Sequence, residues 1–110
     1  MNKSFQALGR LPAGTMNKTE SAYARHLELL KHAGDVLWWK FEGMKLRLAD
    51  NTFYTPDFVL LNRGSEICAH EVKGFWEDDA RVKIKVAASI YPIKFVAVTR
   101  KAGEWVYEDF

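Results

Sequence analysis

Two short stretches constrain this chain most: Thr55-Pro56-Asp57-Phe58-Val59-Leu60-Leu61 and Ile67-Cys68-Ala69-His70-Glu71-Val72-Lys73-Gly74. They read as antiparallel strands joined by a turn at Asn62-Arg63-Gly64. A sheet interior normally avoids charge, yet these strands carry an Asp, a Glu and a Lys. Period-two alternation puts Ile67, Ala69, Glu71 and Lys73 on one face and Cys68, His70 and Val72 on the other. Loop length then decides what Asp57 faces. A three-residue loop over 63–65 pairs Asn62 with Glu66 and sets Asp57 across from Glu71. A two-residue loop sets it across from His70 instead.

Upstream, Asn17 with Glu20 three positions later resembles a capping box, and Tyr23, Leu27, Leu30 and Ala33 recur at helical spacing before Gly34, which predicts a helix over 17–33. Residues 36–41 and 44–48, split by Glu42-Gly43, predict a hairpin whose second strand alternates Lys45 and Arg47 with Met44, Leu46 and Leu48. The adjacent Trp38 and Trp39 must point to opposite sides, one to the core and one toward an edge or partner. Residues 53–61 form the next strand. Pro56 has no amide hydrogen, so that strand is expected at an edge or irregular just before Asp57. Asp78 or Asp79 caps a second helix that runs to about Tyr91 and stops at Pro92. The near-continuous apolar run from Ile93 to Thr99 marks a strand buried on both faces, and Trp105, Val106 and Tyr107 close the chain as a last strand. Helix, three or four antiparallel strands, helix, strand and strand make an α/β fold with a mixed central sheet flanked by two helices, the second helix serving as the crossover to a parallel strand.

With 110 residues and 48% hydrophobic content there is material for one core. We expect residues 1–16, with Gly9, Pro12 and Gly14, to be a flexible arm and 17–110 to be one domain. A net charge of +2 neither demands nor excludes nucleic acid. The single Cys68 cannot form an internal disulfide, and no zinc spacing occurs. No apolar run approaches the roughly 20 residues of a membrane span, nor does a signal-peptide core appear. These features point to an intracellular, cytoplasmic protein without a membrane partner.

Asp57 and Glu71 in facing register stand close enough to share one cation, and without one they repel. Two carboxylates beside an ammonium suit phosphodiester hydrolysis. The acids hold a hard divalent ion, Mg²⁺ with Mn²⁺ as a substitute, and Lys73 orients the attacking water or stabilises charge on phosphorus. The bland alternative is a surface acid cluster with a salt-bridged lysine. For Glu20 the alternative is a cap that complements the helix dipole. His26, His32 and His70 have no partner at ligand spacing, and His70, on the face away from Glu71, reads as structural.

Pro56-Asp57 followed by Glu71-Val72-Lys73 at the end of the next strand resembles the PD-(D/E)XK nuclease motif. Glu20 stands where many members of that superfamily carry a helix-borne acid. Arg81 and Lys83 on the next helix, then Tyr91-Pro92 and an apolar strand, resemble small phage-encoded members; the likeness runs from Asn17 to about Thr99. It implies a restriction-endonuclease-like core in which Asp57, Glu71 and the Val72 carbonyl hold metal, Lys73 is catalytic and Glu20 supports the metal or its water. The implied function is a metal-dependent DNA endonuclease, with branched DNA or Holliday junctions as candidate substrates, in the host cytoplasm if phage-encoded. Lys45, Arg47, Arg81, Lys83 and Lys85 are candidate phosphate contacts, or simply solvated faces. Cutting both strands requires two sites, hence a homodimer with the arm or an exposed Trp at its interface. No small-molecule cofactor is implied. The rival readings are a catalytically silent DNA-binding module and a subunit of a larger nucleoprotein complex.

Overall fold

The computed structural model describes residues 14–74 and 78–110. Most of the expected arm, residues 1–13, therefore lies outside the described residues, as does any capping role of the Asp78 side chain. The helix predicted from the capping box is α1, Lys18–Ala33. Asn17 Oδ1 accepts from the Glu20 N–H at 2.8 Å, and Glu20 Oε1 accepts from the Asn17 N–H at 2.9 Å. Gly34 ends α1 in the left-handed region, φ 87°, where a Cβ would be strained. A cap contributes about 1 kcal/mol. Burial of Tyr23 and Leu27, each fully inaccessible, contributes about 1.5–3 kcal/mol apiece, so packing rather than capping seats the helix.

Five strands make one mixed sheet in the order β1-β4-β5-β6-β7: β1 Val36–Phe41, β4 Phe58–Asn62, β5 Ile67–Lys73, β6 Lys94–Lys101 and β7 Glu104–Asp109. The β5–β6 pair is parallel, joined by α2, Asp78–Ile90, as the crossover reading requires. Between β1 and β4 a two-stranded antiparallel ribbon, β2 Leu46–Ala49 and β3 Thr52–Tyr54, stands outside the sheet.

This ribbon corrects the expected hairpin. β1 pairs with β4, Phe41 opposite Phe58, and not with residues 44–48. Two local facts redirect the chain. Glu42 is left-handed, φ 51°, and its N–H donates to the Asp57 carbonyl at 2.7 Å, closing the β1–β4 ladder. At Gly43 a Cβ would sit 2.5 Å from Val59 Cγ1, so a residue without one lets the backbone lie on the sheet and swing to its far face. The turn of the real hairpin is at Asn51, also left-handed at φ 53°. The predicted strand over 53–61 is likewise two strands, interrupted at Thr55-Pro56-Asp57 where Pro56 withholds a ladder donor. The irregularity was expected, but β4 is internal rather than an edge strand.

Each sheet face has its own core. On one side Tyr23 and Leu27 of α1 pack on Phe58, Leu60, Cys68, Val72 and Val98. On the other Ile84 and Ala87 of α2 and Leu46 and Tyr54 of the ribbon pack on Ala69 and Phe95. Trp39 packs against the first core while Trp38 stays 44% exposed, which is the split that adjacent strand positions dictate. Met16 also packs on the first core, and the Gly14 N–H donates to Glu42 Oε1 at 2.7 Å, so the last residues of the expected arm are seated.

Candidate active site

The β4–β5 turn sets the geometry. Asn62 Oδ1 accepts from the N–H groups of Gly64 and Glu66, both at 2.9 Å, and the Asn62 N–H donates to the Glu66 carbonyl at 3.0 Å. Ser65 adopts φ 63°. This is a three-residue loop with a left-handed third position, a common hairpin connection. Its register runs Leu61 opposite Ile67 to Phe58 opposite His70, and continued by one residue it sets Asp57 across from Glu71. The two-residue alternative does not occur.

Asp57 and Glu71 are both 8% exposed, on the α2 side of the sheet. Asp57 Oδ2 accepts from the Val72 N–H at 2.8 Å. Glu71 Oε1 accepts from the Asp57 N–H at 3.2 Å and from the Tyr54 hydroxyl at 2.9 Å. Glu71 Oε2 lies 3.4 Å from Lys73 Nζ. Each acid thus has one oxygen fixed by main chain or phenol, and Asp57 Oδ1 has no protein donor among the described residues. Burial, then the facing Glu71 charge, push the Asp57 carboxyl up to about 8 against the pull of the Val72 N–H. Burial raises Glu71 too, opposed by Lys73 and Tyr54. Loss of solvation works against the Lys73 ammonium, but Glu71 and Asp57 outweigh it and raise its pKa.

Glu20 is buried at the start of α1, and its charge reaches both Asp57 and Lys73. One of its oxygens is engaged in the capping box. Among the described residues no three His, Cys, Asp or Glu side chains form one metal-ready group, and Glu20 acts on the acid pair through its charge.

Glu71, with Lys73, lines a cleft of about 540 Å³ between the ribbon, the end of β5 and the first turns of α2, whose wall also includes Phe53, Thr55, Ala80 and Lys83, while Asp57 sits behind Glu71 and is not part of the lining. The other basic candidates disperse. Lys45 places its ammonium 4.6 Å from the Phe53 ring centroid. Arg47 lies 3.5 Å from Asp50. Arg81 makes a two-pronged pair with Glu108 at 3.0 and 2.6 Å and stacks over Phe110. Lys85 is exposed on α2. On the opposite face His70 Nδ1 is 2.7 Å from the Tyr23 hydroxyl, and burial pushes its pKa down to about 4. It is a neutral core group, in keeping with a structural role.

Tyr54 is the residue of this candidate site that the sequence did not reveal. Its spacing from Asp57 spans the break at Pro56, so strand periodicity cannot be carried from one to the other. Only the folding of the ribbon over the sheet brings its phenol to Glu71.

The donor set fits a divalent cation. Two facing buried acids offer hard oxygen ligands, and a cation there would displace the proton that Asp57, with its pKa raised to about 8, otherwise holds. No family model, curated protein or solved structure matches the chain.

Proposed function

We propose that the chain is a metal-dependent DNA endonuclease of PD-(D/E)XK type with a restriction-endonuclease-like core. The observation that carries this reading is the buried Asp57–Glu71 pair, held in facing register with Lys73 bridged to Glu71 at the mouth of the cleft. A catalytically silent binder gains nothing from facing buried acids beside a phosphate backbone.

Asp57 and Glu71, with the Val72 carbonyl, would hold Mg²⁺ or Mn²⁺. When bound, the ion supplies positive charge at the phosphate and a water of lowered pKa. Lys73, kept charged by its two acidic neighbours, donates hydrogen bonds to the attacking water or to a phosphate oxygen as charge builds on phosphorus. Tyr54 fixes one oxygen of Glu71 and leaves the other facing Lys73. Glu20 adds negative charge behind Asp57 and supports the cation site from α1. Lys83 on the cleft wall, with Lys45, Arg47, Arg81 and Lys85 farther out, supplies candidate phosphate contacts. Cutting both strands of a branched substrate would need two copies, so a homodimer belongs to the proposal.

Plasmid, linear duplex, flap and four-way-junction DNA incubated with Mg²⁺, Mn²⁺ or EDTA tests the reading. Cleavage should require the metal and disappear in Glu71→Ala and Lys73→Ala. Cleavage that persists in EDTA would overturn the mechanism, and binding without cutting would favour a silent module. Light scattering should give a dimer mass; a monomer at every concentration would remove the paired cut.

A further inference from the structure

We infer that the β2–β3 ribbon is a stacking platform for an unpaired nucleotide, placing one base on Phe53 at the cleft that Glu71 and Lys73 line. The inference rests on the nuclease reading and names the form of DNA that the site accepts.

Phe53 is 43% exposed and belongs to neither core, whereas its neighbour Tyr54 is buried against Glu71. The exposed part of the ring is apolar surface at the cleft that a flat ligand can still cover. The ring carries the Lys45 ammonium 4.6 Å from its centroid, and Arg47 is its cross-strand partner. An aromatic face flanked by cations is what single-strand binding uses: the base stacks and the charges follow the backbone.

Charge by itself does not account for affinity at this cleft. Among the described residues Glu71 and Asp79 line it against Lys73 and Lys83, two acids against two lysines. Stacking adds an attraction that this balance does not supply, and Phe53 is the exposed ring among the described cleft residues. Size points the same way. A cleft of about 540 Å³ lies in the range that encloses a small molecule or a single nucleotide unit, about 300–1,000 Å³, whereas a duplex keeps its bases stacked and paired inside the helix. A nucleotide already unpaired, as in a single strand, a flap or a junction centre, enters without that unpairing cost.

The test is fluorescence anisotropy in EDTA, where nothing is cut, using a labelled single strand of about 16 nucleotides and the matching duplex. The wild-type protein should prefer the single strand. Phe53→Ala should weaken single-strand binding by roughly 5- to 150-fold, the range for losing one base–aromatic stack, and leave duplex binding nearly unchanged. Phe53→Trp should restore it, with circular dichroism confirming that each variant is folded. Equal loss on both DNA forms, no loss on either, or no single-strand preference would overturn the inference. Phe53-dependent single-strand binding without cleavage under any metal condition would support the platform and sink the nuclease reading, so the two fail separately.

Discussion

Two side chains, Tyr54 and Lys73, set what the acid pair can do. Tyr54 donates to Glu71 Oε1 at 2.9 Å; Tyr54→Phe removes one hydrogen bond to a charged acceptor, about 1.5–3 kcal/mol, and should weaken Mn²⁺ binding measured by calorimetry by roughly tenfold or more. Lys73→Ala should lower turnover on the order of 10²-fold or more while DNA binding in EDTA changes little, because its ammonium serves the reacting phosphate. Asp57 predicts an unusual pH dependence. Its folded pKa, about 8, lies above the ordinary 3.8, so the folded state binds the proton more tightly. That contribution is complete below the ordinary value and is lost as pH rises through about 8. His70 has the opposite sign: its pKa is lowered from 6.5 to about 4, so its contribution is present above 6.5 and is lost as pH falls through about 4. Between pH 6.5 and 8 only the acid effect operates of these two. In EDTA the melting temperature should therefore fall across that interval, and Asp57→Asn should flatten the curve.

At the scale of elements, the site depends on how two connections place three strands. The three-residue β4–β5 loop holds the register through Asn62. Asn62→Ala removes the acceptor shared by the Gly64 and Glu66 N–H groups and frees the chain to close through a two-residue loop, which sets Asp57 across from His70. Such a variant should lose metal binding by calorimetry even where circular dichroism shows a folded protein. The second connection is the close approach of Gly43 to Val59. Gly43→Ala forces a methyl to within 2.5 Å of Val59 Cγ1, which costs about 1–3 kcal/mol by overpacking and displaces the ribbon that carries Tyr54 and Phe53. Chemical denaturation would measure the first effect, and weaker Mn²⁺ binding would report the second.

Across the whole molecule, α1 and its core brace one face of the sheet while α2 and the ribbon leave the cleft open on the other. No described helix is long and apolar enough to cross a membrane. In the metal-free fold a proton on Asp57 offsets the facing acids up to about pH 8, and in the proposed mechanism a cation would take its place. Mg²⁺ or Mn²⁺ at a hundredfold excess over its Kd should therefore raise stability by about 2.7 kcal/mol, and Asp57→Asn should abolish the gain. An equal thermal shift in that variant would show that the ion binds elsewhere.

Local rules of the sequence determined α1 with its capping box and Gly34 stop, the two-sided burial of β6, the break before Asp57 and the side of β5 on which Glu71 and Lys73 lie. Those features follow from capping, periodicity and missing donors, which act over a few residues. The same alternation narrowed Asp57 to two possible partners, and the loop selected one. Tertiary structure alone decided that β1 pairs with β4 and that residues 46–54 leave the sheet as a ribbon, bringing Tyr54 to Glu71 and exposing Phe53. Strand pairing between distant segments depends on which faces bury together. At Gly43 the decisive contact is with Val59, a residue that no local pattern connects to it.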